Sequence, residues 1–293
     1  MFDLTDCTYK SNATSMQFQV GVLQQREMAR DTWMMRLHCP EIAQQIVPGQ
    51  FFMIRSPHGS DPLLGRPFVL YDIYEDAGRP VGIDFGYIVV GKLTRLMTTW
   101  QPGDTVEIWG PLGNGFPVPR CRYLMFVAGG IGQTPFLATA REAIGLHQYG
   151  DPSRVIENRP DRVTMLYGVR SAEYLAGLDD FALPGLELHT ATDDGTAGHH
   201  GLVTELLQAA IERGDAPDLV YCCGPEPMME AVAGICAAAK IEAWLSLETP
   251  MACGFGACFS CVTRVRMDDG SWDYRRTCVE GPVFRADRLV FSA

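Results

Sequence analysis

The feature that most constrains this chain is a run of cysteines near its C-terminus, where Cys253, Cys258 and Cys261 spell C-x4-C-x2-C and Cys278 follows. Thiolates at that spacing hold a [2Fe-2S] cluster of the plant type. Gly254, Phe255, Gly256 and Ala257 fill the first gap. They are mostly small, so the backbone can wrap closely around a cluster and aim N–H groups at its sulfurs. Two other uses of the same residues stay open: a structural zinc site, which usually pairs C-x2-C with C-x2-C, and simple burial as small hydrophobes. The remaining cysteines, Cys7, Cys39, Cys121, Cys222, Cys223 and Cys236, sit in or beside apolar runs without ligand spacing. A cluster moves one electron at a time and a nicotinamide carries two, so a flavin is expected between them.

With 293 residues the chain has room for two domains and a small appended module. A hydrophobic fraction of 47% with 30 glycines and 19 prolines describes a globular protein rich in tight turns. The net charge of -11 without a basic run excludes a nucleic-acid surface, which needs clustered Lys and Arg. Apolar stretches such as Tyr123 to Val127 fall far short of the ~20 residues that cross a bilayer, so no membrane partner is expected. Residues 1–16 lack the basic-then-apolar order of a secretory signal. Together with cysteines spaced as ligands, this points to the reducing cytoplasm. Residues 1–15 show no clear element, and Met16 is a possible alternative start.

From residue 17 to 119, short apolar runs are broken by Pro and Gly: Phe18 to Leu23, Trp33 to Cys39, Gln50 to Arg55, Phe68 to Ile73, Ile83 to Val89 and Thr105 to Trp109. This spacing predicts an antiparallel β-barrel interrupted by one helix, Thr94 to Trp100, with Thr94 as its N-cap. From 120 to 248, strands alternate with helices, which predicts a parallel sheet covered on both faces. The expected strands are Tyr123 to Ala128, Val163 to Val169, Leu186 to Thr192, Leu219 to Cys223 and Glu242 to Leu247. The expected helices are Pro135 to His147, Ala172 to Ala176, Leu202 to Arg213 and Pro227 to Lys240. Residues 249–293 form the cysteine module.

Two turns carry cofactor chemistry. Gly129-Gly130-Ile131-Gly132 lies where the first strand of the α/β domain enters its first helix, and glycines there let a dinucleotide phosphate approach the backbone. Gly91-Lys92-Leu93-Thr94 precedes the barrel helix, whose N-terminus offers free N–H groups to a pyrophosphate. Gly86, Tyr87 and Ile88, on the strand before it, join the candidate cofactor-binding set.

Gly65-Arg66-Pro67-Phe68 resembles the flavin-binding domain of the ferredoxin reductase superfamily, whose signature is Arg-x-aromatic-Ser. The resemblance implies that Arg66 pairs with the FAD pyrophosphate and that Phe68 packs on the isoalloxazine. Val69 stands where the family's Ser approaches flavin N5, and Leu93 where it prefers a glycine. Cys223-Gly224-Pro225-Glu226-Pro227-Met228-Met229, with the Gly129 turn, resembles the NAD(P) domain of the same superfamily. In that domain the Cys-Gly-Pro segment faces the nicotinamide, which makes Cys223 the matching catalytic candidate and Gly224 and Pro225 cofactor contacts.

Adding Gly110-Pro111-Leu112-Gly113-Asn114-Gly115-Phe116 and Met251-Ala252-Cys253-Gly254, the chain from residue 17 resembles the electron-transfer subunits of two-subunit, NAD-linked dihydroorotate dehydrogenases. The resemblance implies FAD, one [2Fe-2S] cluster and NAD(P). It also implies a separate FMN-containing catalytic subunit, in a heterotetramer, that oxidises dihydroorotate in pyrimidine biosynthesis. Two alternatives share the sequence: the small subunit of an NAD(P)H:ferredoxin or sulfide-linked oxidoreductase, and a non-catalytic binding protein with a structural four-cysteine metal site. Arg170 and Ser171 follow a strand where a 2′-phosphate is read, which leaves NAD and NADP both open.

Overall fold

The computed structural model describes residues 16–59 and 61–291. Its first sheet has seven antiparallel strands: β1 (Met16–Ala29), β2 (Thr32–His38), β3 (Phe51–Arg55), β4 (Arg66–Val69), β5 (Asp72–Asp76), β6 (Arg79–Ile88) and β7 (Thr105–Leu112). They are ordered β4-β3-β7-β1-β2-β6-β5. The two edge strands, β4 and β5, are separated in sequence only by Leu70 and Tyr71, so the sheet must curl until its edges meet. Leu70 N–H donates to Gln50 O at 3.0 Å and Tyr71 N–H to Asp84 O at 2.8 Å across that seam. Alternate residues point inward, and Val22, Leu37, Phe52, Ile54, Phe85 and Ile108 are buried within the barrel.

The sequence expectation needs four corrections here. The run Phe68 to Ile73 is two strands, because Leu70 and Tyr71 turn the corner. The first strand is longer than its apolar core, since β1 borders both β2 and β7 and keeps pairing through its polar end. A second helix, α1 (Pro40–Gln45), follows β2; Pro40 fits its first turn and Ile42 and Ala43 are buried. The other barrel helix, α2, is Lys92–Met97, with Gly91 rather than Thr94 as its N-cap.

The second sheet contains β8 (Tyr123–Gly129), β9 (Arg162–Val169), β10 (Leu186–Thr192), β11 (His199–His200), β12 (Leu219–Cys223) and β13 (Glu242–Ser246), all parallel. Helices α3 (Phe136–Ala143), α4 (Val203–Glu212) and α5 (Glu226–Ala239) connect them. Gly130–Gln133 is a 3-10 turn, so α3 is shorter than expected, and Ala172–Tyr174 is likewise a single 3-10 turn. In the tail, β14 (Val262–Arg266) and β15 (Trp272–Arg276) make a hairpin, and β16 (Val283–Arg285) pairs antiparallel with β13. The sheet order is β11-β10-β9-β8-β12-β13-β16. The tail thus completes the α/β sheet, across the boundary expected at 248/249.

Two features lock barrel to sheet. Tyr71 Oη and Arg26, on the barrel, both hydrogen-bond Asp180 at 2.8 and 2.5 Å, and Arg141 of α3 pairs with Asp72 of β5. Asn114, just after β7, grips the tail: Nδ2 donates to Val283 O at 2.8 Å and Glu280 O at 3.2 Å, while Oδ1 accepts from Val283 N–H at 3.2 Å. The segment Gly110 to Phe116 therefore joins all three parts of the chain.

Candidate cofactor cleft and cysteine centre

Between the barrel rim and the C-terminal ends of the parallel strands lies a cleft of about 700 Å³. Ile88 comes to it from β6, Gly129 and Gly130 from the end of β8, Arg170 from the end of β9, and Pro225 and Met228 from the start of α5. A crevice at the carboxyl ends of an α/β sheet is where dinucleotides bind. The two glycine turns interlock at its floor. A Cβ on Gly132 would stand 2.2 Å from Cys223 O, one on Gly129 2.6 Å from Met228 Sδ, and one on Gly224 3.0 Å from Gly129 N. Gly130 is different: its φ of +56 faces open space, where a phosphate can reach the backbone. Gln133, in the same turn, is fully buried with neither amide atom hydrogen-bonded, a donor and acceptor that a group bound at this turn would answer.

Cys223 ends β12. Burial, reinforced by the Glu248 carboxylate, pushes its thiol up to about 12, so at neutral pH it is a thiol and not a thiolate. Of this segment, Pro225 lines the cleft, with Cys223 set back at the strand end. Met229 is buried in the core, while Met228 faces the cleft.

The flavin candidates are distributed around one rim of the barrel. Arg66 is exposed, its guanidinium donates to Leu64 O and Gly65 O at 3.0 and 2.9 Å, and it has no carboxylate partner among the described residues. It is placed to take an anion. Gly86 lets β6 approach the Gly129 turn, since a Cβ there would meet Thr134 Cγ2 at 2.5 Å. Four of the candidates are engaged within the barrel itself. Phe68 points into the barrel, with its ring 4.9 Å from Phe85, because strand alternation puts it on the inner face. Leu93 is buried in the same core. The Thr94 hydroxyl accepts from Val90 and Gly91 N–H at 3.1 and 3.0 Å, bonding backward from the third helical position, and is used up there. Tyr87, also buried, donates to Gln25 Oε1 at 2.7 Å. The side chains of Pro67 and Val69 are partly buried on the opposite face of β4.

That outer face carries the cysteines. Phe51, Met53 and Leu112 pack against Cys261 and Cys278, with Val69 and Trp109 at the border. Cys261 and Cys278 bring their sulfurs to 3.1 Å, Cys258 Sγ meets Ser260 Oγ at 3.2 Å, and Cys253 is close enough to act on both Cys258 and Cys278. Among the described residues no three metal-ligating side chains converge on one point. Cys261 and Cys278 form one close pair with Cys253 and Cys258 in the loop beside it, the four thiols that a cluster with two irons takes. The Ser260 hydroxyl draws Cys258 down to about 6, while the hydrogen bond with Cys261 raises Cys278.

The loop between the ligands depends on its glycines. Gly254 and Gly256 have φ of +80 and +91, and a Cβ would meet Met53 Cγ at 2.6 Å or Val279 Cγ2 at 2.7 Å. From below, Thr277 donates through its N–H and hydroxyl to Cys261 O at 2.8 and 3.0 Å, and Arg276 donates to Gly256 O at 3.1 Å.

Comparison with known proteins agrees with this geometry. Residues 248–290 match the profile described as the iron-sulfur cluster binding domain of dihydroorotate dehydrogenase B, and residues 126–234 match the oxidoreductase NAD-binding domain. A dihydroorotate dehydrogenase B (NAD(+)) electron transfer subunit from Geobacillus thermodenitrificans is 36% identical over 275 residues, covering 93% of this chain and 98% of that protein. The chain belongs to the family of dihydroorotate dehydrogenase B electron transfer subunits. Another member, from Desulforamulus reducens, is 34% identical over 281 residues, covering 95% of this chain and all of its own.

Solved structures extend the likeness of this electron transfer subunit family member to its fold, a ferredoxin reductase-like barrel and parallel sheet. The NADH-dependent reduced ferredoxin-NADP oxidoreductase superposes with a TM-score of 0.74 at 26% identity, covering 92% of this chain and 89% of its own. A Neisseria gonorrhoeae ferredoxin NADP+ reductase, 17% identical, shares the fold with a TM-score of 0.60 over 76% of this chain and 91% of its own. Trp109 and Asn114, as contacts of the tail, had no local signal: each joins residues more than 140 positions away.

Proposed function

We propose that this chain relays electrons from a catalytic dihydroorotate dehydrogenase subunit to NAD+, through a [2Fe-2S] cluster and FAD. The observation that carries the reading is the pair Cys261 and Cys278 packed on the outer face of the barrel beside Val69 of the flavin motif, with Cys253 and Cys258 in the adjoining loop and the dinucleotide cleft at the barrel's rim. When bound, the cluster supplies one-electron exchange and the flavin converts between single electrons and hydride. Cys253, Cys258, Cys261 and Cys278 hold the cluster. Arg66 grips the FAD phosphates, and the backbone of Gly129 and Gly130 receives those of the nicotinamide cofactor. Cys223 and Pro225 present a neutral surface to the nicotinamide.

The partner is proposed to carry FMN and to form a heterotetramer with this chain in the cytoplasm. Phe255, Phe259, Trp272 and Tyr274, all about half exposed or more, surround the cysteine loop and its hairpin and supply the apolar centre of such an interface. No helix among the described residues is long and apolar enough to cross a membrane. Asp193 lines the cleft at the end of β10, next to the end of β9 that carries Arg170, and its carboxylate opposes a 2′-phosphate, which favours NAD over NADP.

The test is reconstitution. The anaerobically purified chain should contain about two irons, two sulfides and one FAD, bleach with NADH, and, with its FMN partner, reduce NAD+ using dihydroorotate. Zinc in place of iron would sink the relay. A complex that ignores dihydroorotate and reduces ferredoxin would instead favour the second reading, for which the likeness to the ferredoxin-NADP oxidoreductase speaks.

A further inference from the structure

Trp109 lies on β7, and the two ends of its indole reach the cysteine loop and the Gly65 corner, the two segments beside the centres that the proposed relay must connect. Nε1–H donates to Cys253 O at 2.8 Å, reaching the first cysteine of the loop. The far edge of the ring fills the place a side chain would take at Gly65, where a Cβ would stand 2.5 Å from Cη2 and 3.2 Å from Cζ2. Gly65 immediately precedes Arg66. Along its length the indole borders the apolar nest of Cys261 and Cys278, beside Met53, its partner across the β3–β7 ladder.

A half-buried tryptophan in a sheet needs only some acceptor for its N–H. Here the acceptor is the carbonyl at the start of the left-handed Gly254 turn, so the hydrogen bond fixes the peptide on which the first ligand hangs. Groups one layer outside a metal's ligands orient those ligands and tune the centre's potential. The rigid bicyclic ring also sets the distance between the Cys253 limb and the Gly65-Arg66 corner, because neither end can move without tilting the other. We infer that Trp109 is a positioning residue that holds the cluster loop at fixed reach from the flavin motif and contributes to the cluster's electronic setting. The inference rests on the relay proposed above.

The experiment compares wild-type, Trp109→Phe and Gly65→Ala holoproteins. Phe keeps a ring and removes the N–H; Ala leaves Trp109 in place and drives the indole away from the corner. Three quantities are read: the electron paramagnetic resonance spectrum of the reduced cluster, its midpoint potential, and the separate rates at which NADH reduces FAD and then the cluster. Both variants are expected to alter the spectrum and potential and to slow cluster reduction about tenfold, as losing an outer-layer contact to a metal centre does, with FAD reduction unchanged in Trp109→Phe. Iron and FAD content and melting temperature, taken alongside, show that each variant is folded and loaded. Variants with wild-type spectrum, potential and cluster rate overturn the inference alone. A wild-type chain that binds zinc or no cluster overturns the relay and the inference together.

Discussion

Cys261 and Cys278 meet sulfur to sulfur at 3.1 Å although seventeen positions and the whole β14–β15 hairpin separate them. Thr277 holds the meeting by bonding the Cys261 carbonyl twice. Replacing Cys278 by Ser should therefore abolish the cluster while leaving the barrel and cleft intact. Iron should fall below about a tenth of wild type, and NADH should still bleach the flavin. The check is iron quantitation beside an anaerobic NADH titration.

The glycines of the dinucleotide turn should differ sharply in tolerance. At Gly132 a Cβ would collide with the Cys223 carbonyl at 2.2 Å, and neither backbone has room to yield. At Gly130 a Cβ meets nothing within 4 Å, and the cost is only that of a left-handed residue, about 1–2 kcal/mol. Gly132→Ala should thus lower stability far more than Gly130→Ala, whose Cβ would stand instead in the space proposed for the cofactor phosphate. Thermal melts of both variants decide this, and equal losses of stability would contradict the interlock.

What the sequence disclosed was local. The C-x4-C-x2-C spacing, the Gly129 turn and the Leu219–Cys223 strand with its Cys-Gly-Pro end each span a few residues, and their chemistry needs no knowledge of the rest. What it concealed depended on distant partners. Phe68 has the right type for stacking on a flavin, but its direction follows from register with Phe52, which no local pattern states. Thr94 is a good cap residue, yet Gly91 is extended and takes the cap, turning the hydroxyl backward. The α1 signal was Pro40 before Ile42 and Ala43, masked because Cys39 offers no capping oxygen. Likewise β16 is only three residues long and reads as a strand only beside β13.

Asn114 should govern how firmly the tail is attached. Its amide satisfies the Glu280 carbonyl, which is exposed, and the part-buried Val283 carbonyl and N–H, the two groups that Ala would leave short of a partner. Such losses cost about 1 kcal/mol or more each. Asn114→Ala is expected to destabilise the protein by about 2–3 kcal/mol and to speed amide exchange across residues 280–285 more than in the barrel. Hydrogen exchange resolved by peptide, with iron loss over time, provides the measurement. Uniform exchange change across the chain would rule out a local clamp.

Alkaline pH should destabilise this protein through its buried thiols. Burial pushes Cys39 and Cys236, both essentially inaccessible, up to about 12 from an ordinary value of 9.0. The native state therefore keeps protons that the unfolded chain has already released between those values, so stability falls as pH rises across that window. The contribution is complete below about pH 8 and at pH 10.5 has dropped by about 2 kcal/mol for each thiol. Tyr87, raised by burial as well, acts in the same direction. Denaturant unfolding under reducing conditions at pH 7.5 and 10.5 should show the loss. Cys236→Ala, less stable at pH 7.5 because it leaves a void, should lose less than wild type between the two, and an identical pH slope in the two proteins would refute this account.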